Sequence, residues 1–91
     1  MEFGDVSYNY SVERHHVFTE EGQVMFLKIR DTAKRLLREA GAVRCQELLH
    51  GISGDSWRML ACIDRLVELG ELHEITDPGI VAGQHRVFVD A

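Results

Sequence analysis

The chain contains few of the residues that mark disulfide-rich, metal-binding or membrane-spanning proteins. It has 91 residues, of which two are cysteine and one is proline. Cys45 and Cys62 do not form a C-x-x-C pair, so neither a disulfide framework nor a zinc site is predicted, and we expect free thiols in a reducing compartment. No apolar run approaches the roughly 20 residues that cross a bilayer, and residues 1–5 are acidic where a signal peptide would be basic. We therefore expect a cytoplasmic protein that does not bind membranes.

Motifs for catalysis or cofactor binding are also missing from the sequence. None of the five histidines lies in an H-x-x-x-H, H-E-x-x-H or Cys/His ligand spacing. The stretch Gly51-Ile52-Ser53-Gly54 begins like G-x-S-x-G, but Asp55 occupies the position of the final glycine. No phosphate-binding loop of the G-x-x-x-x-G-K type occurs. We expect no metal, no cofactor and no enzymatic activity.

The composition favours one small globular domain. The chain is 45% hydrophobic and 27% charged, which is ordinary for a folded domain, and it is too short for two. Residues 1–9 show little periodicity and are expected to form a flexible arm, which leaves residues 10–91 as the domain. Residues 10–18 alternate imperfectly between apolar and polar, so a short N-terminal strand is one interpretation.

A long amphipathic helix is predicted over residues 20–40. Thr19 followed by two glutamates is typical of a helix start, and Gly41 is well placed to end the helix in the left-handed conformation. Apolar residues recur three and four positions apart, which indicates one buried face. That face comprises Met25, Ile29, Ala33, Leu36, Leu37 and Ala40, and Val24 and Phe26 widen it.

Two further helices are predicted in the middle of the chain. A short one spans about residues 44–50, and a longer one spans about residues 56–69, with Asp55 or Ser53 as its capping residue and Gly70 at its end. The buried stripe of the longer helix comprises Met59, Leu60, Ile63, Leu66 and Val67.

The C-terminal part of the sequence is typical of two strands joined by a turn. Leu72 and Ile75 begin the first strand, and Val87 and Val89 face one way in the second. The turn Asp77-Pro78-Gly79 lies between them, because proline presets the first turn dihedral and glycine accepts a positive one. Residues 80–84 are more than a tight hairpin needs, so a mobile tip is expected.

Three stretches together resemble a known superfamily. Leu36-Leu37 precede Gly41, Leu48-Leu49 lie in the second helix, and residues 63–72 read Ile-Asp-Arg-Leu-Val-Glu-Leu-Gly-Glu-Leu. This pattern resembles the winged helix-turn-helix superfamily of mostly bacterial and archaeal transcription regulators over about residues 19–89. The resemblance implies an α+β fold of three helices with a C-terminal two-stranded β-wing. It also implies a DNA-binding transcription regulator, commonly a homodimer, whose third helix enters the major groove.

In such a fold the polar face of the third helix would meet DNA. With the apolar stripe inward, the outward residues are Trp57, Arg58, Ala61, Asp64, Arg65 and Glu68. Arg58 and Arg65 could read guanine edges or grip phosphates, or could instead form a ladder with the acidic residues on the helix surface. Trp57 could stack on a base, wedge against a sugar, anchor a protein partner or pack over the preceding turn. On the wing, His85 and Arg86 could reach phosphate.

Positive charge is concentrated in residues 28–44, which hold six basic residues against two acidic ones. Lys28, Arg35 and Arg38 of the first helix, together with Arg44, are therefore predicted DNA contacts, since phosphates attract clustered cations. A solvated helix face is the alternative interpretation.

The rest of the charge favours a second hypothesis. The net charge is -5, and residues 45–91 hold three arginines against eight acidic residues. Acidic side chains on the third helix would be repelled by phosphate, so the alternative to a double-stranded DNA partner is a winged-helix module that binds another protein and no DNA. The resemblance favours DNA binding, whereas the local charge favours a protein partner.

Overall fold

Helices occupy most of residues 10–40, and three short strands are distributed over residues 42–90. A computed structural model describes residues 8–52, 54–77 and 85–91. Within those ranges the fold is α+β, with four α-helices, one 3₁₀ helix and a three-stranded antiparallel sheet. In chain order the elements are α1 (Tyr10–Glu13), the 3₁₀ helix (Arg14–Phe18), α2 (Glu20–Ala40), β1 (Ala42–Arg44), α3 (Cys45–Leu49), α4 (Ser56–Glu68), β2 (Leu72–Glu74) and β3 (Val87–Asp90).

The long helix α2 confirms the predicted start and end signals. The Thr19 hydroxyl accepts a hydrogen bond from the Gly22 amide at 3.0 Å, and two glutamates occupy the first turn, where the helix dipole favours negative charge. Gly41 ends the helix with φ 80°, a conformation that glycine adopts without a Cβ clash. The face of α2 that packs into the core is formed by Gly22, Phe26, Ile29 and Ala33.

Residues 10–18 are helical, although a short strand was one interpretation of their sequence. The Asn9 side chain accepts a hydrogen bond from the Ser11 amide at 3.0 Å, so it caps α1, and the 3₁₀ helix follows directly. Such local side-chain bonds compete with strand formation, and the imperfect alternation offered little to oppose them. Residues 1–7 of the expected arm lie outside the described residues, whereas Tyr8 packs against the core.

The sheet has one strand more than the predicted wing. Its order is β1-β3-β2, with Val43 opposite Phe88 on one side of β3 and Glu74 opposite Phe88 on the other. The strand β1 was missed because three residues directly after a helix cap are too few to show alternation. Asp77 is the last described residue before the gap, and the predicted turn and loop over residues 78–84 lie outside the described residues.

Local signals also account for the ends of α4. The Asp55 carboxylate accepts a hydrogen bond from the Trp57 amide at 2.9 Å, which selects Asp55 as the cap, while the alternative Ser53 lies outside the described residues. At the other end the Glu71 amide donates to the Leu66 carbonyl at 2.9 Å, and Gly70 has φ 76°. This pair of features is the Schellman ending that a glycine one position past the cap allows.

The core surrounds α4 rather than lying on one side of it. Five consecutive residues, Met59 to Ile63, are buried, and so is Leu66. A helix buried around its whole circumference is enclosed by other elements. Ala61 was expected on the outer face and is fully buried, because α1 and the 3₁₀ helix pack on the side of α4 that sequence reasoning left open to solvent.

Candidate functional site

The predicted contact residues lie on four separate parts of the fold. Lys28, Arg35 and Arg38 lie on α2, and Arg44 ends β1. Trp57, Arg58 and Arg65 lie on α4, while His85 and Arg86 precede β3. The four groups differ in their exposure to solvent and in the carboxylates that lie near them.

The outer face of α4 is covered by the N-terminal segment. The Tyr8 hydroxyl donates a hydrogen bond to Asp64, and the Tyr10 hydroxyl donates to Glu68 Oε1 at 2.7 Å. Arg14 Nε lies 3.1 Å from the same Glu68 oxygen. Both acidic residues that were expected to face solvent or DNA are therefore held by donors from residues 8–14.

An aromatic ring completes this cover. The Phe18 ring lies between two guanidinium groups, with Arg14 Cζ at 5.0 Å and Arg65 Cζ at 5.1 Å from its centroid. Both distances are within the range of a cation–π contact. The 3₁₀ helix thereby contacts Arg65, which was predicted to contact DNA.

The arginines of α4 are paired with carboxylates. Arg65 Nη1 donates to Glu68 Oε1 at 2.8 Å, and Arg58 Nη1 donates to Glu21 Oε2 at 3.4 Å. Arg65 pairs with an acidic residue of its own helix, as in the predicted ladder. Arg58 instead pairs with a glutamate of α2. Trp57 is half-buried and packs against the core, which agrees with the packing interpretation of its ring.

A largely buried cluster at the start of β3 comprises Arg86, Asp64, Glu74 and Tyr8. Arg86 Nη2 lies 2.7 Å from Asp64 Oδ1 and 2.7 Å from Glu74 Oε1, and only 8% of Arg86 is exposed. Burial alone would lower the pKa of Arg86, but hydrogen bonds to Glu74 and Asp64 outweigh it and raise the pKa above its usual range. Burial, followed by the neighbouring Asp64 charge, also raises the pKa of Tyr8.

Arg86, which was expected to reach phosphate from the wing, is directed into the protein. Its guanidinium is enclosed by protein and saturated by two carboxylates, so it is a structural residue in this conformation. The sequence did contain a signal for this position. Side chains alternate along a strand, so Arg86 shares the face of Phe88, and Phe88 is fully buried.

Arg44 and His85 are both exposed but differ in their surroundings. Arg44 Nε lies 3.8 Å from Glu47 Oε1, and the Arg44 amide donates to the same oxygen at 2.8 Å. Glu47 therefore holds the start of α3, and Arg44 is partly neutralised. His85 directly follows the gap in the described residues.

The outer face of α2 carries the exposed cations. We use this name for eight exposed residues: Glu20, Val24, Leu27, Lys28, Asp31, Lys34, Arg35 and Arg38. Arg35 lies 3.9 Å from Glu39, and within the described residues Lys28 and Arg38 have no carboxylate within 4.0 Å. Val24 and Leu27 are 56% and 44% exposed, although both are large apolar residues. This face therefore combines apolar surface with unpaired positive charge.

A groove of about 460 Å³ lies beside α2. Its walls include Arg30, Lys34 and Arg38, and Leu66 and Leu72 contribute apolar surface. Lys34 Nζ lies 3.4 Å from Glu71 Oε1, so one of the three cations is already paired across the groove.

The thiols offer no reactive site. Cys45 and Cys62 are free and buried, as expected for free thiols. Burial raises the pKa of Cys45 to about 12 and that of Cys62 to about 11, so both are protonated near neutral pH. Over residues 8–52, 54–77 and 85–91, no group of three or more His, Cys, Asp or Glu side chains could hold a metal ion.

The described residues form an α+β domain with a three-stranded antiparallel sheet, in which α1, the 3₁₀ helix, α2 and β2 pack against α4. No protein-family model, curated protein or solved structure matches the chain. Among the helices that the structure describes, none is long and apolar enough to span a membrane.

Proposed function

We propose that the chain is a non-enzymatic protein-interaction module with a winged-helix topology, and that it docks another protein chain on the outer face of α2. The order α2, β1, α3, α4, β2, β3 and the sheet order β1-β3-β2 support this topology. In it, α4 takes the place of the recognition helix, and residues 8–18 are an N-terminal addition that packs on α4.

The enclosure of α4 carries the proposal. A recognition helix needs an exposed face with free hydrogen-bond donors to enter the major groove. The middle of α4 is buried on all sides, and Arg58 and Arg65 are paired with glutamates. The surface left for a partner is therefore on another element.

The outer face of α2 has the composition of a docking surface. Exposed apolar side chains such as Val24 and Leu27 contribute burial energy at an interface, and neighbouring charges select the partner. Lys28 and Arg38 would favour acidic groups on that partner.

Site-specific photo-cross-linking tests this function. A photoreactive amino acid at Leu27 should cross-link another protein chain in extracts of the native host, whereas the same group at Val12 of α1 should not. Val12 is a matched control because it is also apolar and is 60% exposed. Equal labelling from both positions would contradict docking on α2.

The second candidate function is binding of double-stranded DNA, as expected of a transcription regulator, through the same face of α2. The unpaired Lys28 and Arg38 favour it, since exposed cations bind backbone phosphates regardless of sequence. Fluorescence anisotropy with a short duplex at low salt distinguishes the two candidates. Binding that is lost in a Lys28→Gln, Arg35→Gln, Arg38→Gln variant, but kept in Arg44→Gln, would support DNA. The primary proposal expects no binding even at low ionic strength.

A further inference from the structure

One stripe of exposed residues runs along nearly the whole of α2. Its members are separated alternately by four and three positions: Glu20, Val24, Leu27, Asp31, Lys34 and Arg38. The mean spacing is 3.6 residues, which is the repeat of the α-helix itself, so all six residues lie on one face. The stripe is about 27 Å long at the ordinary rise of an α-helix.

The charges of the stripe are segregated along the helix axis. Glu20 is at the N-terminal end, and Lys34 and Arg38 are at the C-terminal end. The helix dipole favours this order in any helix. It does not account for Val24 and Leu27, which lie between the charged ends with about half of their surface exposed. Within the described residues, neither Glu20 nor Arg38 has an ion-pair partner.

We infer that the outer face of α2 binds a second copy of this chain, with the two α2 helices antiparallel. This inference rests on the proposed function and names the partner. A two-fold axis that crosses the outer face of α2 at the level of residue 29 brings Glu20 of each copy to Arg38 of the other. A parallel pair would place Glu20 against Glu20 and Arg38 against Arg38, which like-charge repulsion opposes.

The apolar residues also find contacts in this arrangement. Val24 lies beside the aliphatic stem of Lys34 from the second copy, since lysine buries its stem and keeps its ammonium in water. In the same register Leu27 lies opposite Asp31 of the second copy, and the two Leu27 side chains lie about one helical turn apart across the axis. The same chain thus carries complementary charged ends with exposed Val24 and Leu27 between them, so a second copy is a sufficient partner.

Sedimentation velocity of the full chain over a range of concentrations tests the dimer. We expect a concentration-dependent dimer at low salt that weakens about tenfold or more in high salt, because the end pairs are exposed to screening. Glu20→Arg and Arg38→Glu should each be monomeric at concentrations where the native chain is dimeric. An equimolar mixture of the two variants should form a heterodimer, since both end pairs are then restored.

Glu21→Arg is the matched control for Glu20→Arg. It makes the same charge change in the same helical turn, but residue 21 points about 100° away from the stripe. It should leave the dimer intact, and circular dichroism should show native helix content in every variant. Leu27→Ser should also weaken the dimer, whereas Val12→Ser should not.

Three outcomes would overturn the inference. They are a monomer at all concentrations, a dimer that Glu20→Arg and Arg38→Glu leave unchanged, and a variant mixture that stays monomeric. A monomer that still cross-links a different protein from Leu27 would reject the second copy while keeping α2 as the docking surface. A monomer that cross-links nothing from Leu27 would reject both.

Discussion

At the scale of single residues, Arg86 shows how one buried cation joins distant parts of the chain. It holds Asp64 of α4 and Glu74 of β2, and Tyr8 donates to the same aspartate. A buried charge is stable only when it is paired and hydrogen-bonded, so the cluster depends on each of its members. Asp64 therefore contributes to the anchoring of the sheet on α4 and is not a surface acid.

Replacing Arg86 should destabilise the fold strongly. Arg86→Met leaves two largely buried carboxylates without a counter-charge, and we expect the free energy of unfolding to fall by about 3–5 kcal/mol. Urea denaturation measures the change. Arg44→Met, at an exposed arginine, should change it by no more than about 0.5 kcal/mol. Adding Asp64→Asn and Glu74→Gln to Arg86→Met should recover part of the loss, and no recovery would contradict the role assigned to charge.

Glu68 should make stability depend on pH in the acid range. A hydrogen bond from Tyr10, with further bonds from Arg65 and Arg14, lowers the pKa of Glu68 from 4.5 to about 2. Because the folded pKa lies below the unfolded one, the contribution is fully present above about pH 4.5 and is lost as the pH falls towards 2.

The difference between native protein and Glu68→Gln isolates this contribution from those of other carboxylates. The urea midpoint of the native protein should exceed that of Glu68→Gln at pH 6, and the two should converge by pH 2. Tyr10→Phe should reduce the difference, since Tyr10 provides the largest part of the shift. A difference that does not vary with pH would contradict the assignment.

At the scale of elements, the contact between α2 and the 3₁₀ helix depends on a missing side chain. A Cβ placed on Gly22 would lie 1.8 Å from the His16 carbonyl oxygen, which is far inside van der Waals contact. The neighbouring Cys62 thiol lies 3.8 Å from the Gly22 carbonyl oxygen, so α4 also approaches this point closely. Gly22 therefore allows three helical segments to meet.

Gly22→Ala should push the 3₁₀ helix away from α2. We expect a loss of about 1–3 kcal/mol in the free energy of unfolding, as for other overpacked sites. Amide hydrogen exchange at Val17 and Phe18 should accelerate at the same time. Gly41→Ala is the control, because it adds a Cβ at a positive φ with nothing within 4 Å and should leave exchange in residues 14–18 unchanged. If amide exchange in residues 14–18 were unchanged in Gly22→Ala as well, the close contact between residue 22 and the His16 carbonyl would not hold the 3₁₀ helix in place.

At the scale of the whole molecule, one continuous core joins the N-terminal segment, the helices and the sheet. Val17 of the 3₁₀ helix, Leu60 of α4 and Phe88 of β3 belong to the same buried cluster. No separate core serves the N-terminal segment within the described residues. The segment that covers α4 is therefore an integral part of the domain.

Unfolding should accordingly be a single cooperative transition. Trp57 fluorescence reports on the start of α4, and far-ultraviolet circular dichroism reports on all helices, so their urea midpoints should coincide. A Tyr10→Phe variant should shift both midpoints together. Two separated transitions would show that the N-terminal segment opens independently of the core.

Much of the fold could be predicted from local signals in the sequence. The capping residues Thr19 and Asp55 and the terminal glycines Gly41 and Gly70 act through neighbouring backbone groups, so sequence alone located both long helices. The buried stripe of α2 was only partly correct. Phe26, Ile29 and Ala33 are buried as predicted. In contrast, Met25, Leu36 and Leu37 are half-buried, and Val24 and Ala40 are exposed.

The placement of the candidate contact residues depended on the tertiary structure. Sequence determined which side chains occur on α4, but the packing of residues 8–18 decided that Asp64, Arg65 and Glu68 are held by internal partners. Side-chain hydrogen bonds over 54–58 positions have no signature in local periodicity, because they depend on which elements meet after folding. Tertiary structure likewise directed Arg86 into the protein, and it left the outer face of α2 as the exposed surface with unpaired cations.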